Sequence, residues 1–69
     1  MELSARNQLS GTIARIELGD LMAEVTVDIG GGQSVVSLIT RGSVERLGLK
    51  EGDQVVAVIK ATEVLIGKP

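Results

Sequence analysis

Leu21-Met22-Ala23-Glu24-Val25-Thr26-Val27-Asp28-Ile29 is followed at once by Gly30-Gly31-Gly32, and then by Gln33-Ser34-Val35-Val36-Ser37-Leu38-Ile39-Thr40. The first segment alternates Leu, Ala, Val, Val and Ile with Met, Glu, Thr and Asp, the period of two expected of a strand with one buried face. Three consecutive glycines cannot sit comfortably in a strand interior. They read as a turn, and Gln33–Thr40 reads as the returning strand of a hairpin.

Upstream of this hairpin, Leu9 to Leu18 has the composition of a first long strand, and Gly19-Asp20 makes the turn into the second. Gly11, early in that strand, marks a bulge or a close approach of two backbones. Downstream, Gly42-Ser43-Val44-Glu45-Arg46-Leu47-Gly48 reads as one helical turn, with Ser43 placed to cap exposed N–H groups and Gly48 able to take a left-handed exit. Leu47 and Leu49 are expected to plug one end of a barrel. Lys50-Glu51-Gly52-Asp53 is a polar turn into a fourth strand, Gln54 to Lys60. After a break near Ala61-Thr62, Glu63-Val64-Leu65-Ile66 is expected to supply a fifth. Five strands with one helical turn between the third and fourth predict an all-β, OB-like Greek-key barrel. With no linker, low-complexity stretch or internal repeat, residues 1–69 are expected to form one domain.

Composition narrows the possible functions. A chain of 69 residues lies where a single core rarely stabilises a fold without disulfides, a metal or association. It has no Cys and no His, so association is the expected remedy. Hydrophobic residues make up 43% of the chain and the mean hydropathy is +0.30, more apolar surface than so short a monomer hides easily. Aromatic residues are absent, which removes the stacking platforms used by single-stranded nucleic-acid binders. A net charge of −2 further disfavours a phosphate-backbone partner, while leaving room for one local basic pocket. No segment approaches the roughly 20 apolar residues that span a bilayer. Met1-Glu2-Leu3-Ser4 lacks the basic start and apolar stretch of a signal peptide, so the expected location is the cytoplasm.

Two segments near the ends carry the chemistry. In Ser4-Ala5-Arg6-Asn7-Gln8-Leu9-Ser10-Gly11-Thr12-Ile13, Arg6 stands two residues after Ser4. In Val58-Ile59-Lys60-Ala61-Thr62-Glu63-Val64-Leu65-Ile66, Lys60 stands two before Thr62. A cation beside small hydroxyl residues is anion-binding chemistry. A tetrahedral dianion offers four acceptor oxygens, so its site needs many donors and few carboxylates. Charged donors contribute about 1.5–3 kcal/mol each, and a handful can compete with hydration. Taken singly, Arg6 and Lys60 read as solvated surface charges and Ser43 as a helix cap; it is their co-occurrence that makes a pattern. Asn7 reads as bonding its own backbone at the bend into the first strand. Gly30-Gly31-Gly32 lacks the Gly-Lys-Ser/Thr ending and following helix of a phosphate loop. Glu24 and Asp28 share a strand face but have no nucleophile or His beside them, so they read as a solvated face rather than a catalytic pair.

In order and spacing, the two segments closely resemble the molbindins, small Mop-like domains that bind molybdate and tungstate, and the resemblance runs over nearly all 69 residues. It implies that Ser4, Ala5 and Arg6 supply a hydroxyl, a backbone N–H and a cation to the oxyanion. Lys60, Ala61 and Thr62 match the family's second contribution, and Thr40 and Ser43 its third, from the end of the third strand and the start of the helical turn. The resemblance further implies a cytoplasmic storage and homeostasis protein for molybdate, able to take tungstate because the two ions are nearly alike in size and charge. It implies binding without catalysis, while the residues themselves present no catalytic or metal-ligating set, argue for no organic cofactor, and favour neither a nucleic acid nor a membrane as partner. Its assembly would pair two subunits by exchange of the first strand and join three dimers into a hexamer with sites between subunits. Two other readings stay open: a regulatory or partner-docking module that senses molybdate, and a fold whose site serves sulfate or is vestigial.

Overall fold

The computed structural model describes residues 1–69. Four strands and one helix run in the order β1 (Asn7–Leu18), β2 (Met22–Gly30), β3 (Gln33–Thr40), α1 (Arg41–Leu47) and β4 (Gln54–Ile59), followed by a 3₁₀ turn at Ala61–Glu63. All neighbours are antiparallel, and the order across the sheet is β3-β2-β1-β4. A fourth strand returning by a long connection to lie beside the first is the Greek-key arrangement. The sheet curls into the OB-like fold expected from the sequence.

β2 behaves as its alternation requires. Ala23, Val25 and Val27 are buried and Ile29 is half-buried, while Met22, Glu24 and Asp28 face solvent. The turn after it places Gly31 and Gly32 at φ +64° and +75°. Positive φ at both central residues matches the right-handed twist of a two-residue hairpin, which glycine permits without strain. The Asp28 carboxylate accepts a hydrogen bond from the Gly30 N–H at 2.8 Å, which braces the start of the turn.

β1 serves two ladders. Its first half, Asn7 to Thr12, pairs with β4, and its second half, from Thr12 onward, pairs with β2. Thr12 pairs with both Gln54 and Asp28 and is where the strand changes partners. Gly11 marks a close approach: a Cβ there would lie 2.5 Å from the Asp28 carbonyl oxygen and 2.6 Å from Val27 Cγ1. The bulge itself falls between Ile13 and Arg15, where the register slips and the strand bends.

α1 corrects one expectation from the sequence. Its N-cap is Thr40, extended at φ −72° and ψ 149°, whose hydroxyl oxygen accepts from the Ser43 N–H at 3.0 Å. Ser43 instead lies inside the first turn, its hydroxyl 2.8 Å from that of Thr40. β3 runs into the helix without a loop, so the last extended residue is the one that can cap. Gly48 closes the helix in the left-handed conformation at φ +63°, as expected.

The fifth strand expected at Glu63–Ile66 is not part of the ladder. Ala61–Glu63 forms a 3₁₀ turn, Val64 is extended, and Leu65 and Ile66 are each 91% exposed. A strand needs an edge to pair with, and this segment reaches none within its own chain. β3 and β4 likewise do not pair with each other, so the barrel stays open on that side. Leu47 therefore lies at the rim, 64% exposed, rather than plugging an end. Val44 is the buried helix residue, and Leu49 packs against the core. That core holds only Ile13, Ala23, Val25, Val27 and Val44.

Candidate oxyanion-binding site

The register of β1 against β4 assembles the first group of candidate residues. Asn7 pairs with Ile59 as the last rung of that ladder. Arg6 and Lys60 are the next residues outward on the two strands, so the end segments that are distant in sequence meet at one end of the sheet. Ser4 and Arg6 are exposed and Ala5 is half-buried, and Lys60, Ala61 and Thr62 are all exposed. Neither Arg6 nor Lys60 enters an ion pair; the three present are Arg15–Glu17, Arg41–Glu45 and Lys50–Asp53. Both cations are free to bind an anion.

Backbone donors lie beside these charges. The 3₁₀ turn begins after Lys60, which makes no side-chain capping bond, and its internal bonds run from Glu63 N–H to Lys60 O and from Val64 N–H to Ala61 O. The N–H groups of Ala61 and Thr62, the first of the turn, receive no partner from it. Just ahead of β1, the Gln8 side-chain amide donates to the Ala5 carbonyl at 2.8 Å. The group so formed holds two cations, two hydroxyls and several N–H donors. A tetrahedral oxyanion accepts from all three kinds.

Thr40 and Ser43 belong to a second place. Thr40 pairs with Met22, and the neighbouring Ala23 pairs with Leu18 at the far end of β1. A straight 12-residue strand would span roughly 36 Å at about 3.3 Å per residue, and the whole molecule is 35 Å along its longest axis. No hydrogen bond or ion pair joins the two groups. Within one chain the β1–β4 register sets Arg6 and Lys60 just beyond the same end of the sheet, with Ser4, Ala5, Ala61 and Thr62 next to them in sequence. It leaves Thr40 and Ser43 at the opposite end, where Arg41 ties the helix start to the β1–β2 turn through bonds to Gly19 O at 3.2 Å and Leu21 O at 2.8 Å.

Sequence patterns alone did not single out Gln8 or Arg41. A glutamine three residues after a carbonyl is a weak signal, and the partner of Arg41 lies 22 residues away.

Between the open edges of β3 and β4 lies a groove of about 300 Å³, lined almost wholly by apolar side chains including Val35, Ile39, Leu47 and Ile59. It offers no charged donor and is not the anion site.

Topology and site together describe a small OB-like domain with a candidate anion-binding cluster at one end of its first strand. The family model named TOBE domain matches residues 3–66. Molybdenum-pterin-binding protein 1 of Clostridium pasteurianum is 48% identical over 66 residues, covering 96% of this chain and 97% of that protein. A solved molybdate-binding protein from Sporomusa ovata is 41% identical with a TM-score of 0.91, covering 99% of this chain and all of that one. The cytoplasmic molybdate-binding protein ModG, solved with molybdate bound, is 48% identical with a TM-score of 0.94. That match covers all of this chain and 49% of ModG. The chain belongs to the TOBE-domain family, among proteins of the Mop or molbindin type.

Proposed function

We propose that residues 1–69 act as one domain that binds molybdate, and tungstate alongside it, for storage and homeostasis of the oxyanion in the cytoplasm, without catalysing a reaction. One observation carries this reading: the Asn7–Ile59 rung brings the free cations Arg6 and Lys60 together, with Ser4 and Thr62 close by in sequence. The relatives named for molybdate binding support the same choice of anion.

The site proposed is interfacial. Ser4, Ala5, Arg6, Lys60, Ala61 and Thr62 form one part, and Thr40 and Ser43 of a second copy complete it, because a single chain holds these parts apart. Association has its own physical support. Five buried side chains of 69 residues make a very small core, while Leu21, Leu38, Leu65 and Ile66 are among many large apolar side chains left in water. The assembly proposed is a hexamer built as a trimer of dimers, with first strands exchanged within each dimer. Exchange would keep both β1 ladders and move them between chains, as domain swapping does.

An anion that binds only the assembled form stabilises it by mass action. Melting the protein with molybdate, sulfate or phosphate at equal concentration tests the proposal. Molybdate at a hundredfold excess over its Kd raises the melting temperature by about 10 °C or more, and the other two do not. Equal effects of all three anions would refute selective molybdate binding.

A further inference from the structure

Gln8 is the second residue of β1 and is held in the ladder opposite Val58. From that fixed position its side-chain amide reaches back across the bend and donates to the Ala5 carbonyl at 2.8 Å. This is the only side-chain hydrogen bond made to the stretch Ser4–Arg6, which otherwise lies ahead of the strand and outside any ladder. The bond has a directional consequence. The peptide between Ala5 and Arg6 is trans, so its N–H points opposite to its C=O. Holding the Ala5 carbonyl toward Gln8 turns the Arg6 N–H the other way, and no turn, loop or cap bond engages that N–H. It also ties up a carbonyl oxygen that would otherwise repel an oxyanion.

We propose that Gln8 is a positioning residue of the oxyanion site: its amide fixes the Ala5–Arg6 peptide so that the Arg6 N–H and the residues flanking it converge on the anion. The inference rests on the molybdate-binding reading. Gln8 itself does not touch the anion; it acts through the segment it holds. Its side chain is exposed and packs in no core, so removing the amide leaves the fold intact.

The test uses the full chain carrying Gln8→Met, which keeps length and removes the donor, beside Gln8→Glu, which replaces the donor with a carboxylate. Molybdate affinity is measured by titration calorimetry, ligand-free melting temperature by calorimetric scan, and backbone order at Ala5 and Arg6 by 15N relaxation on the ligand-free protein. The expected result for Gln8→Met is affinity weakened about three- to tenfold, the share of one neutral hydrogen bond. Its melting temperature is unchanged and the order parameter of its Arg6 amide is lower than in the parent. Gln8→Glu weakens binding further. In the Arg6→Ala background, Gln8→Met costs little more, because the segment it positions no longer holds its charged donor. Unchanged affinity or unchanged backbone order at Arg6 in Gln8→Met overturns the proposal, as does a loss of affinity matched by a loss of thermal stability. If the parent protein binds no molybdate, the reading beneath the proposal has failed, which is a separate outcome from a parent that binds and a variant that binds equally well.

Discussion

Asn7 faces Ile59 as the terminal rung of the β1–β4 ladder, and that register sets Arg6 and Lys60, more than 50 residues apart in sequence, just beyond the same end of the sheet. Two like charges with no carboxylate partner are unfavourable neighbours. A dianion between them removes that repulsion. The pairing of the first and last strands is thus both what closes the Greek key and what builds the candidate site.

Arg6→Ala and Lys60→Ala are each expected to weaken molybdate binding by at least about tenfold, the lower end of what a charged hydrogen bond supplies. Both side chains are exposed and free of ion pairs, so ligand-free melting should move by no more than about 2 °C in either variant. Calorimetric titration and thermal scans on the same preparations separate the two effects.

Gly11→Ala should destabilise the fold by about 1–3 kcal/mol, since the added methyl would meet the Asp28 carbonyl oxygen and Val27 Cγ1 at less than any normal contact. Urea denaturation checks this. A variant as stable as the parent would show that β1 and β2 can separate at this crossing without cost.

Thr40→Ala removes the hydroxyl that receives the Ser43 N–H and should cost about 1 kcal/mol, whereas Ser43→Ala leaves that bond in place and should cost less. Denaturation midpoints rank the two. The reverse order would return the capping role to Ser43.

Much of this was legible in the sequence, and the gaps have physical causes. The alternation of β2 and the glycine turn are local signals, and both were read correctly. Gly11 was correctly suspected of a close approach, although the bulge fell nearer Arg15. Glu63–Ile66 has strand composition, but a strand is defined by its partner, and within the chain there is none. Thr40 and Ser43 both offer a hydroxyl near the helix start, and which one caps depends on where β3 stops being extended. Residue types point to Arg6 and Lys60 as anion-binding candidates. They could not reveal that Thr40 and Ser43 lie at the other end of β1, because that follows from which half of β1 pairs with which strand.

Asp53 predicts a pH dependence. Its carboxyl is held below the ordinary carboxylate range, first by the hydrogen bond from the Lys50 side chain, then by that from the Lys50 backbone N–H, with the Lys50 charge adding to them against slight desolvation. A carboxylate whose pKa is lower folded than unfolded favours the folded state above its unfolded value, and that contribution fades as pH falls through the folded value. The turn it braces also holds Ile13 through bonds to Asp53 O and from the Gly52 N–H. Below about pH 4, the parent should lose stability more steeply than Asp53→Asn. Parallel slopes in acid denaturation would remove Asp53 from the account.

The central claim is a selective oxyanion site shared between copies of the chain. Its most direct test is calorimetric titration of molybdate, in a large excess of sulfate, into protein whose mass is fixed by light scattering in the same buffer. The account predicts saturable binding to an assembly of six chains, with heat that survives the sulfate and an affinity at least about tenfold weaker in Lys60→Ala. A monomer that binds molybdate fully, or an assembly whose binding heat vanishes in sulfate, would contradict it.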